Sequence, residues 1–154
     1  MFRKGIQDSD GDFTIENAGP DDYPEIMDVW ESAVRATHDF LKPEDFELFK
    51  RIIPTDFLPN VDLYVLRQGE KIVGFMGISG ENLEMLFISE SSRGKGFGKI
   101  LLTYAVQKVS VKKLDVNEQN KQALGFYEKF GFRIVARSEK DSMGKDYPIL
   151  HLSL

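Results

Sequence analysis

The spacing of apolar residues divides the first half of the chain into predicted strands and helices. Alternating apolar and polar side chains predict a strand over residues 13–17, whereas residues 1–12 are polar without periodicity and are expected to be flexible. Apolar residues at helical spacing predict one helix that begins near Pro20 and another that begins near Pro43. Three apolar strands follow, and their short turns indicate an antiparallel meander: residues 63–67, 71–79 and 83–88.

The second half of the chain predicts a helical crossover, a further helix and a hairpin. One helix runs to about Val109, and a strand at residues 112–116 then lies parallel to the strand before that helix. Residues 120–130 form the next helix, and residues 132–154 form the hairpin. The predicted fold class is α/β (α+β), with a single domain over residues 13–154 and a mixed sheet of about six or seven strands flanked by about four helices.

Composition narrows the chemistry that the domain can perform. The chain has no cysteine, which excludes a disulfide, a thiolate nucleophile and a cysteine metal site. With only His38 and His151 as histidines, no metal site is predicted. The sequence shows neither a long apolar run nor a leader, so we expect a cytoplasmic protein without a membrane partner. The net charge of −5 argues against nucleic acid as a partner.

The charges are unevenly distributed along the chain. Residues 8–62 contain 15 acidic and 4 basic residues, whereas residues 93–114 contain six basic residues and no acidic one. Solvated helix faces account for such runs in most proteins. The alternative interpretation is a basic side that binds an anionic cofactor and an acidic side that attracts a cationic substrate.

A loop with three alternating glycines joins the strand at residues 83–88 to the next helix. Gly94, Gly96 and Gly98 allow the backbone to turn sharply and to approach a ligand closely. The first N–H groups of the following helix have no intrahelical partner and form an anion site together with the helix dipole. The loop therefore predicts a bound phosphate or pyrophosphate.

Two common nucleotide-binding loops fit this sequence poorly. A P-loop needs a serine or threonine where the chain has Ile100, and its glycine spacing differs. A dinucleotide-binding fold needs G-x-G-x-x-G directly after a strand of a parallel sheet. Asp115 lies at the distance expected for the acid of that fold, but the spacing here is G-x-G-x-G and the preceding strands form a meander.

Arg93, Gly96 and Gly98 fit a third loop pattern, Q/R-x-x-G-x-G/A. This pattern resembles the pyrophosphate loop of the GNAT superfamily of acetyl-coenzyme-A-dependent N-acetyltransferases. A second family motif, N-x-x-A-x-x-F-Y-x-x-x-G-F, is matched in order by Asn120, Ala123, Phe126, Tyr127, Gly131 and Phe132. The resemblance extends from Phe13 to the end of the chain and implies the GNAT fold, with a parallel strand pair at the cofactor site. Several segments, such as residues 36–41, resemble the bacterial YjaB-type acetyltransferases of this family.

The resemblance implies that acetyl-CoA binds between the glycine loop and the end of the preceding strand. The strand end would pair with the pantetheine arm, and one of its N–H groups would polarise the thioester carbonyl. Asn120 matches a position that contacts the coenzyme, although asparagine is also a good helix N-cap. The implied cofactor-binding residues are Leu86, Phe87, Ile88, Arg93, Gly94, Lys95, Gly96, Phe97, Gly98, Lys99 and Asn120.

For catalysis, the resemblance implies direct attack of an amine on the thioester. Tyr127 matches the family's general acid, whereas its spacing alone favours a core residue. The general base has two candidates, Glu84 and His38. His38 lies in the break between the first two helices, where the family builds its acceptor site. Glu84 has the strand parity of Leu86 and Ile88, but it also fits a solvent-facing strand position. His38 also fits a structural cap.

Two residues near the end of the chain complete the candidate set. His151 lies in the last predicted strand and receives no role. Tyr147 either lines the acceptor pocket or closes the hairpin.

The predicted function is transfer of acetyl from acetyl-CoA to a primary amine. The acceptor is a protein lysine, a protein N-terminus or a small cationic amine. One alternative is a non-catalytic acyl-CoA-binding module, but the presence of Tyr127 and of the complete glycine loop argues against it. A weaker alternative is a dinucleotide-binding protein. No surface helix shows an obvious stripe of residues for dimer formation, so the expected oligomeric state is either a monomer or a homodimer.

Overall fold

A single mixed sheet of eight strands organises the protein in the computed structural model, which describes residues 3–8 and 11–154, with side chains from Phe13 onward. The strand order is β1-β2-β3-β4-β5-β6-β8-β7, and every neighbouring pair is antiparallel except β5 and β6. The strands are β1 (Arg3–Asp8), β2 (Gly11–Asn17), β3 (Asp62–Gln68), β4 (Lys71–Ser79), β5 (Asn82–Ile88), β6 (Lys113–Asn117), β7 (Arg133–Ser138) and β8 (Ile149–Ser153).

The predicted meander, parallel pair and terminal hairpin are confirmed. The sheet has one more strand than the pattern predicts, because β1 pairs with β2 in a region without periodicity. The prediction of a flexible segment falls partly on residues 1–2 and 9–10, which lie outside the described residues, and it stays a prediction there. The hairpin also inserts β8 between β6 and β7, so the last strand of the chain is an interior strand.

Within the described residues, four α-helices cover the two faces of the sheet, as predicted. They are α1 (Tyr23–Thr37), α2 (Pro43–Ile52), α3 (Phe97–Lys108) and α4 (Lys121–Phe130). Side chains of β4 contribute to both cores: Ile72 and Phe75 pack with α1, whereas Val73 and Met76 pack with α3 and α4. No helix in the described residues is both long and apolar enough to cross a membrane.

A β-bulge and a gap in the sheet occur at the same place. On one side of β5, Leu83 pairs with Ile78 and Met85 with Gly77, which leaves Glu84 as an extra residue without a partner on β4. On the other side, the parallel pairing with β6 ends at Leu83 and Leu114. A bulge bends its strand, so β5 leaves β6 at the point where the ladder stops. The result is a wedge-shaped opening in the sheet.

Because of the bulge, the side-chain alternation along β5 differs from the predicted one. A regular alternation from Ile88 and Leu86 assigns the next core position to Glu84, but Leu83 occupies it instead. Glu84 is exposed, and its Oε2 accepts a hydrogen bond from Asn82 Nδ2 at 2.6 Å. Glu84 therefore occupies a solvent-facing strand position, which is one of the two alternatives that the sequence left open.

Candidate active site

The glycine loop adopts a backbone that requires glycine at two positions. Gly94 has φ +77° and Gly96 has φ +84°, both in the left-handed region, and no atom lies within 4 Å of where a Cβ would stand. Gly96 is the N-cap of α3, and Ile100 N donates the first helical hydrogen bond to its carbonyl at 3.1 Å. The N–H groups before Ile100 are thus free of helical partners and open towards the loop. This arrangement has the backbone geometry that the predicted anion site requires, and binding of an anion there stays a prediction.

Arg93 fixes this loop to the start of α4. Its Nη2 donates a hydrogen bond to Gln122 Oε1 at 2.5 Å. The guanidinium thereby stands between the glycine loop and α4, where it adds positive charge to the N-terminus of α3. The loop and α4 consequently form two walls of one cavity.

A cavity of about 350 Å³ runs from the glycine loop to the end of β5. It is lined by every predicted cofactor-binding residue except Lys95. Gln122, Ala123, Phe126 and Tyr127 of α4 close its other side. The two sequence motifs, although separated along the chain, therefore face each other across a single cavity.

Asn120 has both a structural position and a place in the cavity wall. Its Oδ1 accepts a hydrogen bond from Ala123 N at 3.2 Å, which confirms the predicted N-cap of α4. Gly131 caps the other end with φ +126°. Contact between Asn120 and a coenzyme stays a prediction.

A second cavity of about 790 Å³ opens on the face of the sheet that α1 and α2 border. Its walls include the aromatic rings of Trp30, Phe40, Phe49 and Phe57 and the carboxylates of Asp56, Glu84 and Asp115. It shares six lining residues with the smaller cavity, namely His38, Leu86, Phe87, Asn120, Ala123 and Tyr127. The two cavities therefore meet at the wedge between β5 and β6.

Tyr127 stands at this junction with a buried ring. The ring packs against Phe126 and Phe132 in the core, and burial raises the pKa of the phenol above its ordinary value. No group in the described part of the chain hydrogen-bonds to its hydroxyl, and Ser89 Oγ is the only fully buried side-chain polar atom there without a partner. The Tyr127 hydroxyl must therefore open onto the cavities. It is protonated at neutral pH and available as a donor.

His38 lies on the other side of the junction, at the end of α1. Its ring contacts Phe40 and Phe87, with centroid distances of 5.2 and 6.3 Å. The Thr37 hydroxyl donates its hydrogen to Ala33 O at 2.8 Å, so it must accept from His38 Nδ1 at 2.7 Å. Burial lowers the pKa of His38 to about 4. The imidazole is therefore neutral at pH 7 and a weak proton acceptor.

Tyr147 joins the loop between β7 and β8 to α2. Its hydroxyl accepts from Lys42 N at 3.1 Å and donates to the Asp45 carboxylate, which also pairs with Lys145 Nζ at 2.8 Å. These hydrogen bonds, that of Lys145 first, hold the pKa of Asp45 below its ordinary value. Tyr147 also lines the larger cavity, whereas its side-chain hydrogen bonds reach α2 and not the other strand of the hairpin. A role in acceptor binding stays a prediction.

A hydrogen-bonded group that the sequence analysis missed lies on the same cavity wall. His151 Nδ1 is 2.6 Å from Asp115 Oδ1, and His151 Nε2 is 2.7 Å from Ser138 Oγ. The three residues lie on β8, β6 and β7, and all line the larger cavity. The one available signal was the alternation in β8, where the polar His151 stands between the buried Leu150 and Leu152.

Comparison with known proteins agrees with this combination of sheet, glycine loop and buried tyrosine. Residues 27–146 match the family model of the acetyltransferase (GNAT) domain. The chain therefore belongs to the GNAT acetyltransferase family, which confirms the resemblance drawn from its motifs and the fold class that the resemblance implies.

Individual members of the family are similar to this chain over most of its length. The chain is 41% identical over 128 residues to the peptidyl-lysine N-acetyltransferase YjaB of Salmonella typhimurium, covering 82% of this chain and 88% of that protein. The solution structure of apo-form YjaB from Escherichia coli superposes with a TM-score of 0.84 at 38% identity, covering 92% and 96% of the two chains. The PaiA N-acetyltransferase of Thermoplasma acidophilum, solved in complex with coenzyme A, shares the fold with a TM-score of 0.72 at 18% identity, covering 92% and 99%.

Proposed function

We propose that this protein transfers the acetyl group of acetyl-CoA to the side-chain amine of a lysine in a protein or peptide. The observation that carries the proposal is the meeting of two cavities at Tyr127, one leading to an anion site and the other lined by carboxylates and aromatic rings. The name of the Salmonella relative, a peptidyl-lysine N-acetyltransferase, supports the choice of acceptor.

The residues of the smaller cavity fit coenzyme A. Gly94 and Gly96 leave open space in front of the N-terminus of α3, where a pyrophosphate would accept backbone hydrogen bonds. Arg93 and Lys99 line the same space and supply positive charge. The backbone of β5 beyond Leu83 has no partner strand on its β6 side within the described residues, so it can pair with an extended pantetheine arm.

Two groups of the chain act on the reacting atoms. Bound acetyl-CoA supplies a thioester whose carbonyl carbon an amine can attack directly, and the chain has no cysteine to carry the acetyl group. A backbone N–H of Phe87 or Ile88 polarises the carbonyl oxygen. Tyr127 donates its hydroxyl proton to the departing thiolate, and its raised pKa keeps that proton in place until it is needed.

The larger cavity suits a lysine side chain. Its aromatic walls accept the aliphatic stem, and the carboxylates of Asp56, Glu84 and Asp115 favour the approaching ammonium group. The His38 ring, which is tilted against Phe87 at a centroid distance of 6.3 Å, closes the end of this cavity next to the thioester. We assign His38 to acceptor binding rather than to the base, because its lowered pKa makes it a weak proton acceptor.

An acetylation assay with a panel of amines tests the proposal. The panel contains a lysine peptide blocked at its N-terminus, the same peptide with a free N-terminus and with its lysine replaced by arginine, and a polyamine. We expect acetylation of the blocked lysine peptide with a higher kcat/KM than for the other two. Because the chain has no cysteine, every thiol that appears in the assay comes from coenzyme A.

Binding measurements separate the cofactor from the acceptor. Titration calorimetry should show binding of acetyl-CoA, with competition by coenzyme A and none by NAD. Binding without turnover of any amine would indicate a non-catalytic acyl-CoA module and refute the proposal. Faster acetylation of the polyamine or the free N-terminus would refute the acceptor alone.

A further inference from the structure

Two carboxylates lie next to each other where β5 and β6 separate. Leu83 and Leu114 are the last register partners of these parallel strands, and Glu84 and Asp115 are the residues that follow them. Neighbouring strands lie about 5 Å apart, so the two backbones are close at this point. Both side chains line the larger cavity. A pair of like charges therefore occupies the opening of the wedge.

Hydrogen bonds from neighbouring side chains hold each carboxylate by one oxygen. Asn82 Nδ2 donates to Glu84 Oε2 at 2.6 Å, and His151 Nδ1 donates to Asp115 Oδ1 at 2.6 Å. The other oxygens, Glu84 Oε1 and Asp115 Oδ2, accept no hydrogen bond in the described part of the chain. An ionised carboxylate oxygen can only accept, so this pair of oxygens can bind the N–H donors of a cation.

The protein itself supplies no cation to this pair within the described residues. No lysine or arginine there forms an ion pair with Glu84 or Asp115. Lys140 is the one lysine among the described residues of the cavity wall, and it is paired with Asp146. Like charges at facing positions of neighbouring strands destabilise a sheet. Stability therefore gives no reason for the pair, whereas a cation bound between the two carboxylates would offset their repulsion.

A buried hydroxyl points independently to an occupant of the same cavity. Tyr127 is only 8% exposed, and its hydroxyl has no hydrogen-bond partner in the described residues but opens onto the cavity. The cavity has a volume of about 790 Å³. Cavities of about 300–1,000 Å³ hold ligands of drug size, so this cavity has room for more than the acceptor side chain.

The spacing along β5 relates the carboxylates to the reacting carbonyl. The proposed donors to the thioester oxygen are the N–H groups of Phe87 and Ile88, three and four residues after Glu84. A strand advances about 3.3 Å per residue, which places the carboxylate pair roughly 10–13 Å from the carbonyl. An extended peptide advances about 3.5 Å per residue. The pair therefore lies at the distance of a residue about three or four positions from the acceptor lysine.

We propose that Glu84 and Asp115 form a subsite for a second cation of the acceptor, namely an arginine or lysine side chain about three or four residues from the acceptor lysine in the same peptide. This inference rests on the proposed acetyltransferase function. The guanidinium of arginine is planar and carries several N–H donors in a fixed fork, so it can bridge the two free oxygens. The enzyme thereby selects lysines that lie in basic stretches of sequence.

Peptides with a displaced arginine test the subsite. Each peptide is blocked at its N-terminus and contains one lysine among alanines, with a single arginine placed at successive positions before or after the lysine. We expect kcat/KM to rise about tenfold over the peptide without arginine when the arginine is about three or four residues away on one side, because two charge pairs form at a partly exposed site. An arginine next to the lysine should have a smaller effect. Absence of any dependence on position would overturn the proposal.

Variants of the two carboxylates identify the side chains that recognise the arginine. Glu84→Gln and Asp115→Asn should each reduce the ratio of kcat/KM between the arginine and alanine peptides by about threefold, and the double variant should abolish the preference. Glu84→Lys should reverse it in favour of a peptide with glutamate at the same position. Glu81→Gln is the matched control, because Glu81 lies in the same hairpin but lines neither cavity. Its ratio should equal that of the wild type.

Other outcomes would assign the carboxylates to a different role. An equal fall of kcat for the arginine and alanine peptides in Glu84→Gln would assign Glu84 to proton transfer and overturn the subsite. Polyamine acetylation that depends on both carboxylates, without an arginine preference among peptides, would assign the pair to a small polycation instead. Calorimetry should show that the variants bind acetyl-CoA as the wild type does, since neither carboxylate lines the smaller cavity.

The wild type separates this inference from the proposed function. Absence of lysine-peptide acetylation by the wild type would refute the proposed function itself. Acetylation of lysine peptides without an arginine preference would refute only the subsite.

Discussion

The Tyr147 hydroxyl donates a hydrogen bond to the carboxylate of Asp45, which lies 102 residues earlier in the chain. Both residues are buried, and the bond connects the loop between β7 and β8 to the first turn of α2. Tyr147 and Phe49 of α2 both line the larger cavity. One side-chain contact therefore holds together two segments that border this cavity.

Replacement of Tyr147 by phenylalanine should loosen this connection. Lys42 N and the Asp45 carboxylate would each lose a hydrogen-bond partner, which should lower the melting temperature by roughly 2–4 °C. We also expect a severalfold higher KM for the lysine peptide and an unchanged Kd for acetyl-CoA. Tyr64→Phe, a partly buried tyrosine outside both cavities, is the control. An unchanged KM would limit Tyr147 to a structural role.

Replacement of Tyr127 by phenylalanine tests the proposed general acid. Loss of the hydroxyl should lower kcat by about 100-fold, because the thiolate would leave without a proton donor. The aromatic ring stays in the core, so the Kd for acetyl-CoA should change less than twofold. Tyr104→Phe is a matched control, since Tyr104 is equally buried but lines neither cavity. Equal rates for Tyr127→Phe and the wild type would exclude Tyr127 from the mechanism.

Replacement of Gly96 by alanine tests the anion site against a glycine of similar backbone. Gly80 in the β4–β5 turn also has positive φ, +61°, and also has open space around it. Both alanine variants should lose roughly 1 kcal/mol of stability from the left-handed backbone. Only Gly96→Ala should weaken acetyl-CoA binding, by about tenfold or more, because the loop that faces the pyrophosphate changes. Equal affinities for the two variants would contradict the proposed cofactor site.

The pH dependence of stability tests the buried state of His38. Its pKa is about 4 in the folded protein, below the ordinary 6.5, so between these values the unfolded chain binds a proton that the folded one does not. The free energy of unfolding should therefore decrease as the pH falls from about 6.5 to 4, by at most about 3 kcal/mol from this residue. Above pH 6.5 the contribution is fully present.

Urea unfolding at pH 7 and pH 4.5 measures this effect. His38→Gln should show a smaller decrease in unfolding free energy between the two pH values than the wild type. The carboxylates titrate in both proteins, so the difference between them isolates His38. Equal decreases would show that His38 is solvated in the folded state.

The elements and the cofactor motifs follow from local sequence. The glycine loop needs positive φ at Gly94 and Gly96, and only glycine adopts it freely. The α4 motif likewise contains its own N-cap, Asn120, and its own C-terminal cap, Gly131. Caps and positive-φ glycines depend only on a few neighbouring residues. A short sequence motif can therefore include all the residues that specify them.

The bulge at Glu84 is a feature that the local sequence pattern does not determine. Whether Glu84 or Leu83 faces the core depends on how β5 pairs with β4, and a shift of one residue exchanges the two faces of a strand. The alternation in the sequence was compatible with either register. A second bulge, in β7, decides in the same way that Ser138 faces the cavity.

By itself, the sequence determined the four helices, seven of the eight strands, the meander, the crossover and the two family motifs, because each depends on residues close together in the chain. Only the tertiary structure decided the opening between β5 and β6, the junction of the cavities at Tyr127, and the contacts of Asp45 with Tyr147 and of Asp115 with His151. These features arise from strand register and from the insertion of β8 between β6 and β7. Packing between distant segments sets that register, and no local propensity encodes it.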